Sequence, residues 1–200
     1  MNSTSVLIVV DVQNGFMPSG GLPVPRGDEV VPAINALATN FANVVLTQDW
    51  HPAGHASFAS SHVAKNPYDV IQMPYGDQVL WPDHCIQGTV DAELHKDLHI
   101  PHAQLIIRKG FHEGVDSYSA FQEADCKTST GLAAYLMARG LSDVHVCGLA
   151  TDFCVAWTAL DARSAGFEVT VHEAACRGID LNGSLAQAWA QMQAAGIHRC

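Results

Sequence analysis

Short apolar runs alternate along this chain with segments that have the periodicity of helices. The first run, 6–10, contains only Val, Leu and Ile, which is typical of a strand buried on both faces of a parallel sheet. Similar patterns predict strands at 43–48, 105–108, 143–148 and 167–172, and helices at 28–40, 129–139, 152–165 and 182–195. Such alternation is typical of βαβ units with right-handed crossovers, so it predicts the α/β class with a mostly parallel central sheet.

The length and composition of the chain exclude several classes of protein. The 200 residues predict a single domain, 1–200. No apolar run near the start approaches the roughly 20 residues that span a bilayer. A net charge of −10 argues against nucleic acid or an anionic membrane as a partner. The first residues do not resemble an export signal, so we expect a cytoplasmic protein whose six cysteines need not form disulfides.

Three reactive side chains stand at the ends of predicted strands or just beyond them. Asp11 ends the first strand, Lys109 ends the third, and Cys154 lies in the first turn of the helix after the fourth. The carboxyl ends of parallel strands meet at one edge, so the sheet could bring these side chains together. Asp11 would then be a general base for a Cys154 nucleophile whose pKa Lys109 lowers. A structural ion pair beside a buried apolar cysteine is the alternative.

A second group of residues has the chemistry of metal ligands. Asp49 and His51 follow the second strand and point to the same side, and His84 lies in the irregular segment 49–103. One carboxylate and two imidazoles suit Zn²⁺, Fe²⁺ or Mn²⁺. A solvated histidine on a surface turn is the more frequent explanation of such a pair. Aromatic residues of the same loops could form walls for a flat ring or simply anchor the loops: Phe16, Trp50, Trp81 and Tyr118.

Five segments, in this order, resemble the nicotinamidases within the isochorismatase-like cysteine hydrolases. They are DVQN at 11–14 with GGLPVPRGD at 20–28, QDWHP at 48–52, WPDHC at 81–85, KG at 109–110 with DSYSAF at 116–121, and GLATDFCV at 148–155. Each segment alone is modest support, but all five in order are specific. The DSYSAF and WPDHC segments favour the nicotinamidases over related hydrolases.

The resemblance implies a Rossmann-like three-layer α/β/α sandwich that hydrolyses nicotinamide to nicotinate and ammonia in NAD salvage, through a cysteine thioester. It implies a catalytic triad of Asp11, Lys109 and Cys154. The backbone N–H groups of Ala150 and Cys154 would form an oxyanion hole, with a cis peptide bond between Ala150 and Thr151. Whether the enzyme also accepts pyrazinamide, and whether it forms an oligomer of identical chains, stays open.

The resemblance also implies one divalent metal ion that orients the pyridine ring. Asp49, His51 and His84 would hold it, and Ser57 would contribute directly or through water. Zinc is favoured, with iron or manganese as alternatives, because Ser57 stands where some members have histidine. Gly15 is a second departure, at a position where the family commonly has aspartate. Four side chains would line the ring pocket: Phe16, Leu22, Trp81 and Tyr118.

Three other functions compete with this interpretation. The nearest is another small-amide or ureido hydrolase of the same superfamily, which would share the triad and have less need of the metal. An iron oxygenase with two histidines and one carboxylate is a rival from another class. Such sites usually occur on all-β scaffolds, whereas this chain alternates strand and helix. A catalytically inactive binding protein is the third, although every reactive position is filled.

Overall fold

A computed structural model, in which residues 4–200 are described, contains a six-stranded parallel sheet with strand order β5-β2-β1-β6-β7-β8. Its strands are β1 Ser5–Val10, β2 Val44–Asp49, β5 Leu105–Lys109, β6 Asp143–Leu149, β7 Glu168–Arg177 and β8 His198–Arg199. All residues of β1 and β2 are buried, as the unbroken apolar run 6–10 predicts for β1. The predicted α/β class with a mostly parallel sheet is confirmed.

Four helices flank this sheet: α1 Val30–Ala38, α2 Leu132–Ala138, α3 Ala156–Ser164 and α4 Ser184–Ala194. Helices α1 and α3 both pack against β6 and β7, while α4 packs against α3 and β8. Within residues 4–200, no helix has the length and apolar character needed to cross a membrane. That residues 1–200 form one domain stays a prediction.

Several predicted boundaries were wrong. The last helix begins at Ser184 rather than at the predicted 182, because Asn182 and Gly183 have left-handed φ angles of 52° and 84° that a right-handed helix cannot include. Strand β7 continues to Arg177, beyond the predicted end at 172. The segment 49–103 contains an antiparallel hairpin that the sequence patterns did not predict, formed by β3 Val70–Met73 and β4 Gly76–Val79.

At the connection from β6 to α3, the backbone passes very close to strand β1. Gly148 has φ 122°, and a Cβ atom there would lie 2.1 Å from the Val10 carbonyl oxygen, so only glycine lets β6 approach β1 so closely. The cis peptide bond joins Leu149 to Ala150, one bond before the predicted position, which was wrong. A π-helical turn, Thr151–Val155, then leads into α3 and carries Cys154.

Candidate active site

The ammonium group of Lys109 lies at the centre of a buried charged cluster. Its Nζ atom is 2.8 Å from Asp11 Oδ2, 2.5 Å from Asp49 Oδ1 and 3.4 Å from Cys154 Sγ. It also donates to the backbone carbonyl of Ser117 at 3.0 Å. These groups come from the ends of β1, β2 and β5 and from the turn after β6. The sheet therefore brings together the three residues that the sequence predicts as a triad.

Burial and charge set the protonation states of this cluster. Burial raises the pKa of the Cys154 thiol well above its usual value, although Lys109 opposes this. Burial also raises the pKa of Asp11 against the opposing effect of Lys109. Burial alone would lower the pKa of Lys109, but the carboxylates of Asp11 and Asp49 raise it well above its usual value. The resting cluster thus holds an ammonium ion, a protonated thiol and a carboxylate suited to take the thiol proton.

The cluster is not itself a metal site. Single ligand atoms of Asp11, Asp49 and Cys154 lie within 4.8 Å of one another, which could suit a cation. The Lys109 ammonium already contacts all three side chains. Thr47 Oγ1 completes the arrangement by donating to Asp11 Oδ1 at 2.5 Å. A protein cation, not a metal ion, therefore balances these charges.

A metal-binding group lies directly beside the cluster, around Asp49. The second carboxylate oxygen of Asp49, Oδ2, is 3.6 Å from His51 Nε2 and 3.7 Å from His84 Nε2. Each histidine places its other ring nitrogen, Nδ1, 2.8 Å from a backbone carbonyl, that of Gly110 for His51 and that of Pro82 for His84. A proton on each Nδ1 leaves the Nε2 lone pairs directed at the same point. Asp49, His51 and His84 thus fit one divalent ion.

Neighbouring positive charge also keeps Asp49 ionised, as a metal ligand must be. Burial alone would raise the pKa of its carboxyl group, but Lys109 and His51 lower it well below its usual value. The carboxylate therefore stays ionised while it contacts Lys109 through one oxygen and faces the histidines through the other. This one side chain joins the charged cluster to the candidate metal site.

The hydroxyl group of Ser57 is held by His55, two residues earlier in the chain. Ser57 Oγ lies 2.8 Å from Nδ1 of the buried His55. The opposite nitrogen, Nε2, lies 3.0 Å and 3.2 Å from the carbonyls of His112 and Val115, which can only accept hydrogen bonds. His55 is therefore protonated on Nε2, and the Ser57 hydroxyl donates to Nδ1. Its oxygen lone pairs stay free, so a metal role for Ser57 stays a prediction.

A narrow cavity that opens to solvent lies against Cys154 and against the metal-binding group. Cys154, Asp49 and His51 line it together with the four predicted ring-pocket residues: Phe16, Leu22, Trp81 and Tyr118. Trp81 is fixed by an indole N–H that donates to the Tyr118 hydroxyl at 3.0 Å. Trp50 is not among the lining residues and packs instead against the Arg108 guanidinium, 3.8 Å from the ring centre.

The sequence analysis missed three further residues of the cavity wall. Phe153 meets Trp81 edge-on, with ring centres 4.8 Å apart, and Ile179 and Asp116 also line the cavity. Phe153 directly precedes Cys154 and Asp116 begins the DSYSAF segment, so both could have been selected from their motifs. Ile179 lies far along the chain from any of the motifs, and only the folded structure places it here.

The turn that carries Cys154 also positions Ala150. Ala150 lines the cavity, and its carbonyl accepts hydrogen bonds from the N–H groups of Phe153 at 3.1 Å and Val155 at 3.0 Å. This closes the π-helical turn around the nucleophile candidate. That the N–H groups of Ala150 and Cys154 form an oxyanion hole stays a prediction.

The sequence and the fold match proteins already known. The Isochorismatase domain matches residues 5–199. The chain belongs to the isochorismatase family. Within this family it is 62% identical to a nicotinamidase from Acinetobacter baylyi over 193 residues, which covers 96% of this chain and 90% of that protein.

Solved structures of isochorismatase-family proteins show the same fold. A nicotinamidase/pyrazinamidase from Acinetobacter baumannii superposes with a TM-score of 0.99 at 62% identity, covering 100% of this chain and 96% of that one. A pyrazinamidase from Pyrococcus horikoshii, in complex with zinc, gives a TM-score of 0.81 at 35% identity and covers 98% of both chains. These similarities confirm the predicted Rossmann-like α/β/α sandwich.

Proposed function

We propose that this protein is an amidohydrolase that converts nicotinamide to nicotinate and ammonia, and so serves NAD salvage. The observation that carries the proposal is the buried Asp11–Lys109–Cys154 cluster, whose Cys154 lines the same cavity as Asp49, His51 and His84. The similarity to the Acinetobacter nicotinamidases over nearly the whole chain supports it independently.

In the first half of the reaction, Cys154 Sγ attacks the carboxamide carbon and its proton passes to the Asp11 carboxylate. The carbon–sulfur bond forms as the carbonyl π electrons move to oxygen, where the N–H groups of Ala150 and Cys154 would stabilise the negative charge. When the carbonyl reforms, the carbon–nitrogen bond breaks. Asp11 returns its proton to the nitrogen, which leaves as ammonia, and a thioester to Cys154 remains.

In the second half, a water molecule loses a proton to Asp11 and adds to the thioester carbon. The carbon–sulfur bond then breaks, and Asp11 returns its proton to the sulfur atom. The acid product gives its remaining proton to solvent and leaves as nicotinate. Lys109 stays protonated throughout, because the carboxylates of Asp11 and Asp49 raise its pKa well above the usual value. Its ammonium group holds the Asp11 carboxylate close to Cys154 Sγ. Its positive charge also lowers the free-energy cost of burying the carboxylates of Asp11 and Asp49.

The cavity has the walls that a pyridine ring needs. Phe16, Trp81 and Tyr118 present aromatic surface, and Leu22 adds an aliphatic contact. A ring seated between these walls would hold its carboxamide beside Cys154. The mutual contact between Trp81 and Tyr118 keeps two walls in a fixed relation, so the substrate is oriented before the sulfur attacks.

We propose zinc as the ion held by Asp49, His51 and His84. When bound, it would supply a Lewis-acidic position for the ring nitrogen of the substrate. Two neutral imidazoles and one ionised carboxylate are a typical zinc donor set, and the related Pyrococcus horikoshii pyrazinamidase binds zinc. Ser57, whose lone pairs His55 leaves free, would add a direct or water-mediated ligand. A cytoplasmic location stays a prediction.

The proposed substrate is tested by ammonia release from nicotinamide and from open-chain amides and ureides, with the metal content of the same sample measured. The proposal predicts rapid release from nicotinamide and about one metal ion per chain. Faster release from an open-chain amide or ureide would transfer the chain to the sister hydrolases. Turnover that requires oxygen would instead indicate an oxygenase.

A further inference from the structure

The π-helical turn that carries Cys154 also carries a buried carboxylate that the proposed hydrolysis does not use. This side chain, Asp152, is only 6% exposed. Its Oδ1 atom accepts a hydrogen bond from the Ile179 N–H at 2.9 Å. Its Oδ2 atom accepts from the Asp180 N–H at 2.8 Å and from the Ser184 hydroxyl at 2.5 Å. All three donors belong to the connection from β7 to α4 or to the first residue of α4.

This connection, residues 178–183, follows a path that needs such an anchor. Asp180 and Asn182 have left-handed φ angles of 58° and 52°, which are less favourable than right-handed ones for residues other than glycine. Gly178 lets the backbone approach the carboxylate, because a Cβ atom there would lie 3.0 Å from Asp152 Oδ1. Left-handed conformations persist where surrounding contacts impose them, and the three hydrogen bonds to Asp152 are contacts of that kind.

The anchored connection supplies one wall of the active-site cavity. Ile179 lines this cavity together with Cys154. It also packs, partly buried, against the apolar core cluster that includes Phe16 and Leu22. In the described part of the chain, every other apolar residue of the cavity wall precedes Cys154. The wall at Ile179 is therefore the one that depends on how the connection is held.

The size of the Ile179 side chain bears on which rings can enter the cavity. Isoleucine has three more carbon atoms than alanine, and the cavity beside it is narrow. In a closely packed apolar pocket, one extra carbon atom on the substrate changes kcat/KM by about 10–200-fold. An isoleucine can therefore exclude a ring substituent, provided that the backbone that carries it stays in place.

We propose that Ile179 is a specificity-determining residue that limits substituents on the aromatic ring of the substrate, and that Asp152 is a positioning residue that acts through it. The inference rests on the proposed hydrolysis of nicotinamide. Asp152 holds the N–H of Ile179 directly, and its other two hydrogen bonds hold the residues that follow. A loosened wall would admit substituted rings, whereas unsubstituted nicotinamide needs no extra space.

The test compares kcat/KM for nicotinamide with kcat/KM for nicotinamides that carry one methyl group at ring position 4, 5 or 6. Ammonia release by the full-length, zinc-loaded protein measures both. We expect Ile179→Ala to raise the ratio of methylated to unmethylated substrate at least about tenfold for at least one position. Asp152→Asn keeps the size of the side chain but loses acceptor capacity, and it should raise the same ratio at least about threefold. The ratio does not depend on the fraction of folded enzyme.

Leu185→Ala is the matched control. Leu185 is an aliphatic, partly buried residue near the same connection, 3.0 Å from the position of a Cβ atom on Gly178, but it does not line the active-site cavity. This variant should leave the ratio within about twofold. If Asp152→Asn does not fold, Ser184→Ala removes one of the three hydrogen bonds and should raise the ratio by a smaller factor.

The double variant Asp152→Asn/Ile179→Ala tests whether Asp152 acts through Ile179. Its ratio should stay within about twofold of that of Ile179→Ala alone, because the side chain to be placed is gone. Effects that multiply would overturn the positioning role. A ratio that does not rise in Ile179→Ala, or rises as much in Leu185→Ala, would overturn the specificity role alone. If wild type releases no ammonia from nicotinamide, the proposed function fails and this inference fails with it.

Discussion

Two regions of this molecule place a cysteine beside polar partners, but only one is built for chemistry. In the first, Cys154 is buried beside Asp11 and Lys109 and lines a cavity. In the second, exposed Cys200 lies 3.1 Å from His172 Nδ1. The Cys200–His172 contact is shorter than the 3.4 Å between Cys154 and Lys109, so distance alone would select the wrong cysteine.

The two cysteines differ in the strength of the neighbouring base and in the charges and space around them. Burial and the neighbouring His145 and His198 lower the pKa of His172 to about 4, which makes its imidazole a weak base. Burial instead raises the pKa of Asp11, which makes its carboxylate a stronger base, while Lys109 balances its charge. A nucleophile thus needs a suitable base, a fixed counter-charge and space for a substrate.

Asp11→Asn, which removes the base of the first region, is expected to have the largest effect on kcat. The amide cannot take the thiol proton, so kcat for nicotinamide should fall by about 10²–10⁴-fold. His172→Gln, which changes the base of the second region, should leave kcat within about twofold. Steady-state ammonia release measures both. An Asp11→Asn enzyme that keeps more than about a tenth of the activity would show that another group accepts the proton.

The histidines of the two regions should differ in metal binding. His51→Ala removes one of three ligands and should weaken zinc binding at least about 100-fold, since removing even a supporting residue costs 10–100-fold. His145→Ala removes a histidine whose ring nitrogens contact His172 and Asp143, and it should leave the zinc affinity unchanged. Competition with a chromophoric chelator measures both. Equal affinities in the two variants would contradict the assignment.

The pH profile tests the base directly. The raised pKa of Asp11 means that its carboxylate is lost at higher pH than an ordinary aspartate. With zinc saturating, kcat/KM should fall about tenfold per pH unit below that pKa. Thr47→Val removes a hydrogen bond that lowers the pKa of Asp11, so it should move the acid limb to higher pH. A limb that does not move would exclude Asp11 as the titrating group.

The smallest expected effect is on the free energy of unfolding, and it comes from His172 in the second region. The pKa of His172 is about 4 in the folded protein and about 6.5 when unfolded. The unfolded state therefore binds the proton first, and stability falls as the pH drops from 6.5 to 4. His172→Gln should reduce this loss of unfolding free energy by about 1 kcal/mol. The figure is smaller than the pKa shift alone implies, because solvent screens the partly exposed ring. Urea unfolding at pH 7 and pH 5 checks this; an unchanged loss would contradict it.

The sequence predicts the sheet and the charged cluster because both follow from local patterns. The unbroken apolar run of β1 indicates a central strand, and parallel strands carry Asp11, Asp49 and Lys109 to one edge. His84 was selected as a candidate ligand for its chemistry, but it lies in an irregular segment where no periodic pattern fixes its position. Its segment is placed by tertiary contacts, such as the hydrogen bond from the His51 N–H to the Cys85 carbonyl at 3.1 Å, and the nearby Pro82 carbonyl then orients the His84 ring.

Other features depend on the complete fold. His55 has its effect through Ser57 and through the carbonyls of His112 and Val115, more than 50 positions along the chain. The wall residue Ile179 reaches the cavity because Asp152 accepts a hydrogen bond from its N–H at 2.9 Å. These are tertiary contacts between irregular segments, and hydrophobic periodicity contains no information about them.

The central claim is that Cys154, and not another cysteine, is the nucleophile. The most direct test measures ammonia release from nicotinamide by zinc-loaded wild type, Cys154→Ala and Cys200→Ala, with the zinc content of each sample. We predict that all three retain about one zinc ion, that Cys200→Ala keeps the wild-type rate, and that Cys154→Ala releases no ammonia above background. Substantial release by zinc-loaded Cys154→Ala, or loss of activity in Cys200→Ala, would contradict the account.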